Sequence, residues 1–246
     1  MLEVILGIIA VIALLYLAGA LFVGKQLAEV QKYLKSGDTV DFQQNKYLVF
    51  KPKNQVIKTG FVFYPGGFVD AEAYGRIVSY LARHGVLAVI IPTWMRLAWF
   101  NKSRANKVMS AFPEVDSWFI GGHSLGGVVA AFYLKNELEK VENGIIKGVV
   151  LLGAFLAQRH KLVKVDLPVL SVYGSKDGMA KMFELTRYNV SQNTTLHRIE
   201  GGNHGQFGYY GKHFMYDHPA TISRDEQQSI TEMRVLEFIK GVLEGR

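Results

Sequence analysis

The sequence predicts an α/β domain with a mainly parallel central sheet and helices on both faces, preceded by one apolar N-terminal segment. Three observations carry this expectation. From about Ser36 onward, short β-branched runs alternate with longer helical stretches, the order expected of strands joined by crossover helices. The 246 residues suit one such domain with a short appendage better than two full domains. Hydrophobic residues make up 49% and charged residues 20% of the chain, enough apolar surface to build a core.

Val4 to Val23 is an uncharged stretch of 20 residues, about the length a helix needs to cross roughly 30 Å of hydrocarbon. It is expected to be a transmembrane anchor over residues 1–24. Ala18-Gly19-Ala20 resembles a signal-peptide cleavage site, but Met1, Leu2 and Glu3 lack the basic character of a signal n-region. Lys25, Lys32 and Lys35 follow the apolar stretch, so the positive-inside rule places a single-pass protein with its domain in the cytoplasm. Residues 25–38 are expected to form a juxtamembrane linker helix. Its Gln26 to Leu34 portion reads equally as an amphipathic helix along the interface and as a solvated linker.

The domain, residues 39–246, is read element by element. Asp41 to Lys51 is an opening hairpin region in which Tyr47 to Phe50 is the clearer strand. Gly60 to Tyr64 is a strand closed by Pro65-Gly66-Gly67, and Asp70 is placed to cap a helix running to about Arg83. Val86 to Ile91 is a buried strand, Lys102 to Phe112 a helix, and Trp118 to Ile120 a strand. A helix follows from about Leu125 to Lys140, then strands at Gly148 to Leu152, Val169 to Tyr173 and Thr195 to Ile199, and an amphipathic helix over Asp225 to Leu243. About 16 residues separate Leu152 from Val169, too few for a large cap domain.

Gly122-His123-Ser124-Leu125-Gly126 matches G-x-S-x-G between a strand and a helical stretch. That turn is so tight that side chains at the glycine positions would collide, and the strain lifts the serine hydroxyl above the sheet. A serine nucleophile needs a base, and the base needs an orienting carboxylate, in the order Ser, Asp, His. Asp177 follows the strand ending at Tyr173, and His204 follows the strand ending at Ile199, so both fall at the same sheet edge as Ser124. His84, His123 and His160 break the chain order, and His197 lies within a strand. His213 and His218 remain rivals to His204. Asp166 precedes its strand and Asp217 comes after the histidine, which leaves Asp177; otherwise Asp177 is an ordinary turn aspartate. Stabilising an oxyanion needs preformed backbone donors, for which Leu125 and either Gly67 or Phe68 are the candidates.

These motifs resemble the α/β-hydrolase superfamily, and within it the compact fold-5 branch related to dienelactone-hydrolase-like proteins. The resemblance is carried by Tyr64-Pro65-Gly66-Gly67, Gly121 to Gly127, Tyr173 to Gly178 and Gly202 to Gly208, with Ala220 to Arg224 in the tail. It covers the chain after the linker and implies an α/β-hydrolase fold with a serine nucleophile, Asp and His partners and a hydrolytic reaction, without naming a substrate.

The expected function is a membrane-anchored esterase acting through an acyl-enzyme on a small-molecule ester or acyl substrate. An acyl-thioesterase or acyltransferase would use the same groups, and a non-catalytic membrane scaffold with the same fold is the alternative of another class. Trp94, Met95 and Trp99 in one loop, and Phe207 and Tyr209 in another, are candidate pocket residues, though core packing explains such side chains equally well. Arg96 reads as a solvated arginine or as a partner for a substrate carboxylate. With no cysteine in the chain, thiol nucleophiles, disulfides and thiolate metal sites are excluded. His213 and His218 lack a helical metal-ligand spacing, and no metal or cofactor is expected. The net charge of +7 suits an anionic surface, but Lys51, Lys53 and Lys58 form no nucleic-acid recognition motif, so no nucleic-acid partner is expected.

Overall fold

The computed structural model describes residues 25–98, 102–154, 156, 167–182, 191–211 and 217–245; the expected anchor at 1–24 and Trp99 lie outside them. Among the described residues no helix is long and apolar enough to cross a membrane. The strands are β1 (Val40–Gln44), β2 (Leu48–Pro52), β3 (Thr59–Tyr64), β4 (Val86–Ile90), β5 (Ser117–His123), β6 (Ile146–Leu152), β7 (Val169–Gly174) and β8 (Thr194–Ile199). They form one sheet in the order β1-β2-β4-β3-β5-β6-β7-β8. β1 pairs antiparallel with β2 and β2 with β4, while every later neighbour is parallel.

Two cores lie on the two faces, and the period-2 alternation of β3 shows how. Phe61 and Phe63 join Ile77 and Leu81 of helix α1 (Gly75–Arg83), together with Val235 and Ile239. Val62 and Tyr64 join Val108 of α2 (Arg104–Ala111) and Val129 and Leu134 of α3 (Leu125–Asn136) on the other face. Parallel strands with both faces covered read as continuous apolar runs, which is why β4 is buried along its whole length.

Three local expectations are corrected. The helix expected to run from Leu125 to Lys140 breaks at Glu137 and resumes as α4 (Leu138–Glu142). Glu137 leaves helical geometry while its carboxylate accepts hydrogen bonds from Asn106 and Lys140. Asp70 precedes a 3-10 turn at Ala71–Tyr74 but makes no side-chain cap; its carboxylate accepts instead from the Gln26 backbone N–H at 3.1 Å and from Arg96 Nε at 2.8 Å. The 25–38 segment holds a 3-10 helix at Ala28–Tyr33 that is packed on the domain rather than extended from it. Val30 is fully buried, and Val30 and Leu34 lie against Gly75 of α1. An apolar pair on a short helix gains more against that face than in water.

Candidate active site

The site lies where β3, β5, β7 and β8 end, since the C-terminal ends of parallel strands share one edge of the sheet. β5 passes directly into Ser124, which holds φ 52° and ψ −122°, a backbone state unfavourable for a residue with a side chain. Its N–H donates to the Leu152 carbonyl at 2.9 Å, and its own carbonyl accepts from Gly127 at 3.0 Å as α3 begins. Two glycines make the turn possible. A Cβ on Gly126 would stand 2.1 Å from the Tyr64 carbonyl oxygen, and one on Gly122 would stand 2.4 Å from the Gly126 backbone.

Asp177 and His204, expected from chain order, meet directly. His204 Nδ1 donates to Asp177 Oδ2 at 2.7 Å, with both residues buried, and Asp177 Oδ1 accepts the Met179 N–H at 3.0 Å. An aspartate with both oxygens engaged is fixed in place, and with Nδ1 holding the proton, the lone pair of a neutral imidazole is on Nε2. The two loops are joined by backbone as well: Lys176 N–H donates to the Gly202 carbonyl at 2.8 Å and Gly201 N–H to the Ser175 hydroxyl at 2.8 Å. The His204 ring packs on that of His123, the residue before Ser124, with centroids 4.5 Å apart.

Of the two residues proposed for the second backbone donor, the structure separates their roles. The Phe68 N–H donates to the Arg96 carbonyl at 2.8 Å, which directs it away from an oxyanion, and Phe68 itself has φ 57°. Gly67 lies against the Leu125 side chain: a Cβ there would be 3.2 Å from Leu125 Cδ2. Leu125 opens α3, where the first N–H groups have no partner inside the helix.

Several residues that sequence reasoning set aside or did not single out shape the site. Asp217, discounted as the acid because it follows the histidine, accepts the backbone N–H of His204 at 2.8 Å and of Gly205 at 2.7 Å. Burial raises its carboxyl above the ordinary value while those two donors pull the other way. From α5 (Arg224–Leu243), Gln227 donates to the Asn203 carbonyl at 2.7 Å and accepts the Asn203 N–H at 2.9 Å; Gln228 donates to the Gln206 carbonyl at 2.6 Å. His123, set aside because it adjoins the serine, is bonded to the Tyr74 hydroxyl at 2.8 Å, and that hydroxyl also accepts the Gly66 N–H at 3.1 Å. Burial pushes the Tyr74 phenol well above its ordinary value, which keeps it neutral. One hydroxyl thereby ties the glycine loop after β3 to the ring that backs His204. No local pattern announces Tyr74, since it is 49 residues from His123.

The aromatic pocket expected from sequence is largely not assembled. Phe207 is core, 1% exposed, with its ring centroid 5.6 Å from that of His123. Tyr209 is buried with its hydroxyl between Arg76 and Asp225, a polar cluster that also holds Glu232 and Ser229. Trp94 is 63% exposed, and Trp99 lies outside the described residues, as does the rival His213. Met95 lines a hollow of about 300 Å³ with Val69, Asp70 and Arg96. Arg96 pairs through its Nε with Asp70 at 2.8 Å, while its side chain is still 45% exposed. The other histidine rival, His218, gives its carbonyl to the Asn203 side chain at 2.9 Å. A cavity of about 530 Å³ opens beside His204, bordered by Leu27, Tyr210, Asp217, His218 and Arg224. Among the described residues no group of three or more acidic or histidine side chains is arranged to hold a metal ion.

Comparison with known proteins agrees with this architecture. No curated protein matches the chain in sequence. Among solved structures, an esterase from Pyrobaculum calidifontis superposes with a TM-score of 0.63 at 14% identity, covering 87% of this chain and 89% of that one. Est1E from Butyrivibrio proteoclasticus gives 0.58 at 14% identity, covering 84% and 100%. EstE1, a thermostable carboxylesterase cloned from a metagenomic library, gives 0.56 at 16% identity, covering 80% and 84%. At such identities the likeness is one of fold. The sequence profile of the alpha/beta hydrolase family, however, matches residues 60–229, most of the chain and all of the elements that carry Ser124, Asp177 and His204, and the chain belongs to that family.

Proposed function

We propose that this protein is a serine hydrolase of carboxylic esters, held at a membrane by residues 1–24 with its domain on the cytoplasmic side. The observation that carries the catalytic part is the buried Asp177–His204 hydrogen bond of 2.7 Å, at the sheet edge where Ser124 occupies a left-handed turn. Ser124 Oγ attacks the ester carbonyl carbon while His204 Nε2 takes its proton. The developing oxyanion is met by the backbone N–H of Leu125 at the start of α3, with the glycine loop at Gly67 beside it. As the tetrahedral intermediate collapses, His204 returns the proton to the leaving alkoxide. Water, deprotonated by the same nitrogen, then hydrolyses the acyl-Ser124. Asp177 holds the imidazole tautomer and stabilises the imidazolium formed in each half-reaction.

The membrane part is supported by the uncharged run Val4 to Val23 and the lysines that follow it. A fluorophosphonate probe tests the catalytic part. The wild type is expected to label and Ser124→Ala not to, while Asp177→Asn slows turnover of a p-nitrophenyl ester by about 10⁴, the scale set by losing the correct tautomer in serine proteases. A folded wild type that does not label would instead favour a scaffold with the hydrolase fold.

A further inference from the structure

The route by which the chain enters the domain fixes which way the site faces. If residues 25–38 were a free linker, 14 residues would span up to about 45 Å and leave the domain free to tumble beside a membrane. They are docked instead, and the docking begins at the catalytic edge. Gly211 N–H donates to the Lys25 carbonyl at 3.1 Å, Leu27 N–H donates to the Tyr209 carbonyl at 2.8 Å, and Gln26 and Tyr210 form an antiparallel bridge between them. The Gln26 N–H also reaches Asp70 at 3.1 Å. The Tyr209–Gly211 stretch belongs to the loop after His204, and Asp70 to the loop after Gly67. Farther along, the Tyr33 ring packs on Tyr209 at 6.0 Å between centroids and lies 5.8 Å from the Arg76 guanidinium. Leu27 forms part of the wall of the cavity beside His204.

The uncharged run ends at Val23 and the docked segment begins at Lys25, so the slack is two Cα steps, about 7 Å. We propose that the sheet edge carrying Ser124, Asp177 and His204 rests against the lipid bilayer, so that the enzyme draws an amphiphilic, bilayer-partitioned ester from the membrane phase. This rests on the anchored-hydrolase reading above and adds to it an orientation and a substrate class. Exposed apolar side chains do not choose the edge by themselves. Trp94 and Met182 are exposed at the catalytic edge, but Val56, Leu138 and Ile145 are exposed at the opposite one. The short tether chooses. It brings Lys25, Arg96 and Lys181 to the head-group level beside Trp94, the mixture of cations and indole that interfaces favour, and the net charge of +7 suits anionic lipid. The opposite edge is removed by the length of β5, seven residues or about 23 Å.

The chain has no cysteine, so single-cysteine variants of the full-length protein can be labelled at one site each. Trp94→Cys and Met182→Cys report the catalytic edge, and Val56→Cys and Ile145→Cys the other. In vesicles of phosphatidylcholine and phosphatidylglycerol carrying nitroxide lipid, a fluorophore is expected to be quenched several-fold more strongly at 94 and 182 than at 56 and 145. Equal quenching at the four sites, the reverse order, or failure of the protein to float with vesicles overturns the proposal. Inserting ten Gly and Ser residues between Gly24 and Lys25 supplies a second measurement. Hydrolysis of a vesicle-embedded long-chain p-nitrophenyl ester is expected to fall several-fold, with hydrolysis of water-soluble p-nitrophenyl acetate unchanged. Equal retention on both esters overturns the membrane-phase substrate. Fluorophosphonate labelling of Ser124 in the same vesicles separates the two layers: quenching at the catalytic edge without labelling sinks the hydrolase reading and with it the ester, while labelling without edge quenching sinks only the orientation.

Discussion

Replacing Tyr74 by phenylalanine removes a single oxygen that serves two buried groups at once. The Gly66 N–H, which donates to it at 3.1 Å, and His123 Nδ1, which is bonded to it at 2.8 Å, both lose that partner in a site where Tyr74 is 1% exposed. A buried polar group left unsatisfied costs about 1–3 kcal/mol, so two of them are expected to cost about 2–4 kcal/mol after partial relaxation. In a domain of this size each kcal/mol moves the melting temperature by about 2–4 °C, which puts the loss at roughly 5–15 °C. Thermal melts of the full chain in detergent micelles measure it. Tyr64→Phe is the comparison, because the Tyr64 hydroxyl donates to the Lys102 carbonyl at 2.5 Å, is not linked to a histidine, and about 1–2 kcal/mol is expected there. The ring packing of Tyr74 on Phe63, with centroids 4.9 Å apart, survives the change to phenylalanine, so the difference between the two variants isolates the shared hydroxyl. Because that hydroxyl joins the glycine loop to the ring backing His204, the rate of fluorophosphonate labelling should fall as well, with kcat on an ester affected more than KM. A Tyr74→Phe protein that melts no lower than Tyr64→Phe would refute the shared-hydroxyl reasoning.

Two further expectations concern the frame around the site. Arg76 and Glu232 are about nine-tenths buried and paired through two nitrogens at 3.2 Å, so Arg76→Met strands a buried carboxylate and should cost about 3–5 kcal/mol by denaturant unfolding; Arg76→Met with Glu232→Met should recover most of it, and a double variant as unstable as the single one would count against a paired-charge explanation. Gly126→Ala places a Cβ 2.1 Å from the Tyr64 carbonyl oxygen and 2.4 Å from that of Pro65, both backbone atoms that cannot swing aside; a loss of more than about 3 kcal/mol is expected, and a variant that folds and melts like wild type would mean that β3 and α3 are not so close.

The candidate triad was legible because its signals are local and ordered. Ser124 sits in a short motif between an apolar strand and a helix, and Asp177 and His204 each follow a strand that ends in glycine-rich chain. The groups that hold those side chains were not legible, for the opposite reason. Tyr74, Asp217, Gln227 and Arg76 act through contacts with residues far along the chain, and nothing beside them in sequence marks them out. Asp217 is instructive: chain order set it aside as the orienting carboxylate, yet its two oxygens receive the N–H groups of His204 and Gly205. The aromatic residues after His204 misled for a related reason. Apolar character says that a ring will be buried, and only packing says whether it is buried in a pocket wall or, as with Phe207 and Tyr209, in the core and beneath a polar cluster.

By itself the sequence determined the alternation of strands and helices, the parallel sheet and the turn that presents Ser124, because hydrophobic period and glycine placement act over a few residues. Tertiary structure alone decided that Asp177 and His204 bond, that Phe68 turns its N–H to Arg96 and that residues 25–27 are strapped to the loop after His204. Each of those outcomes depends on which distant backbone and side-chain groups meet when two separate cores close on one sheet, and chain order does not encode that meeting.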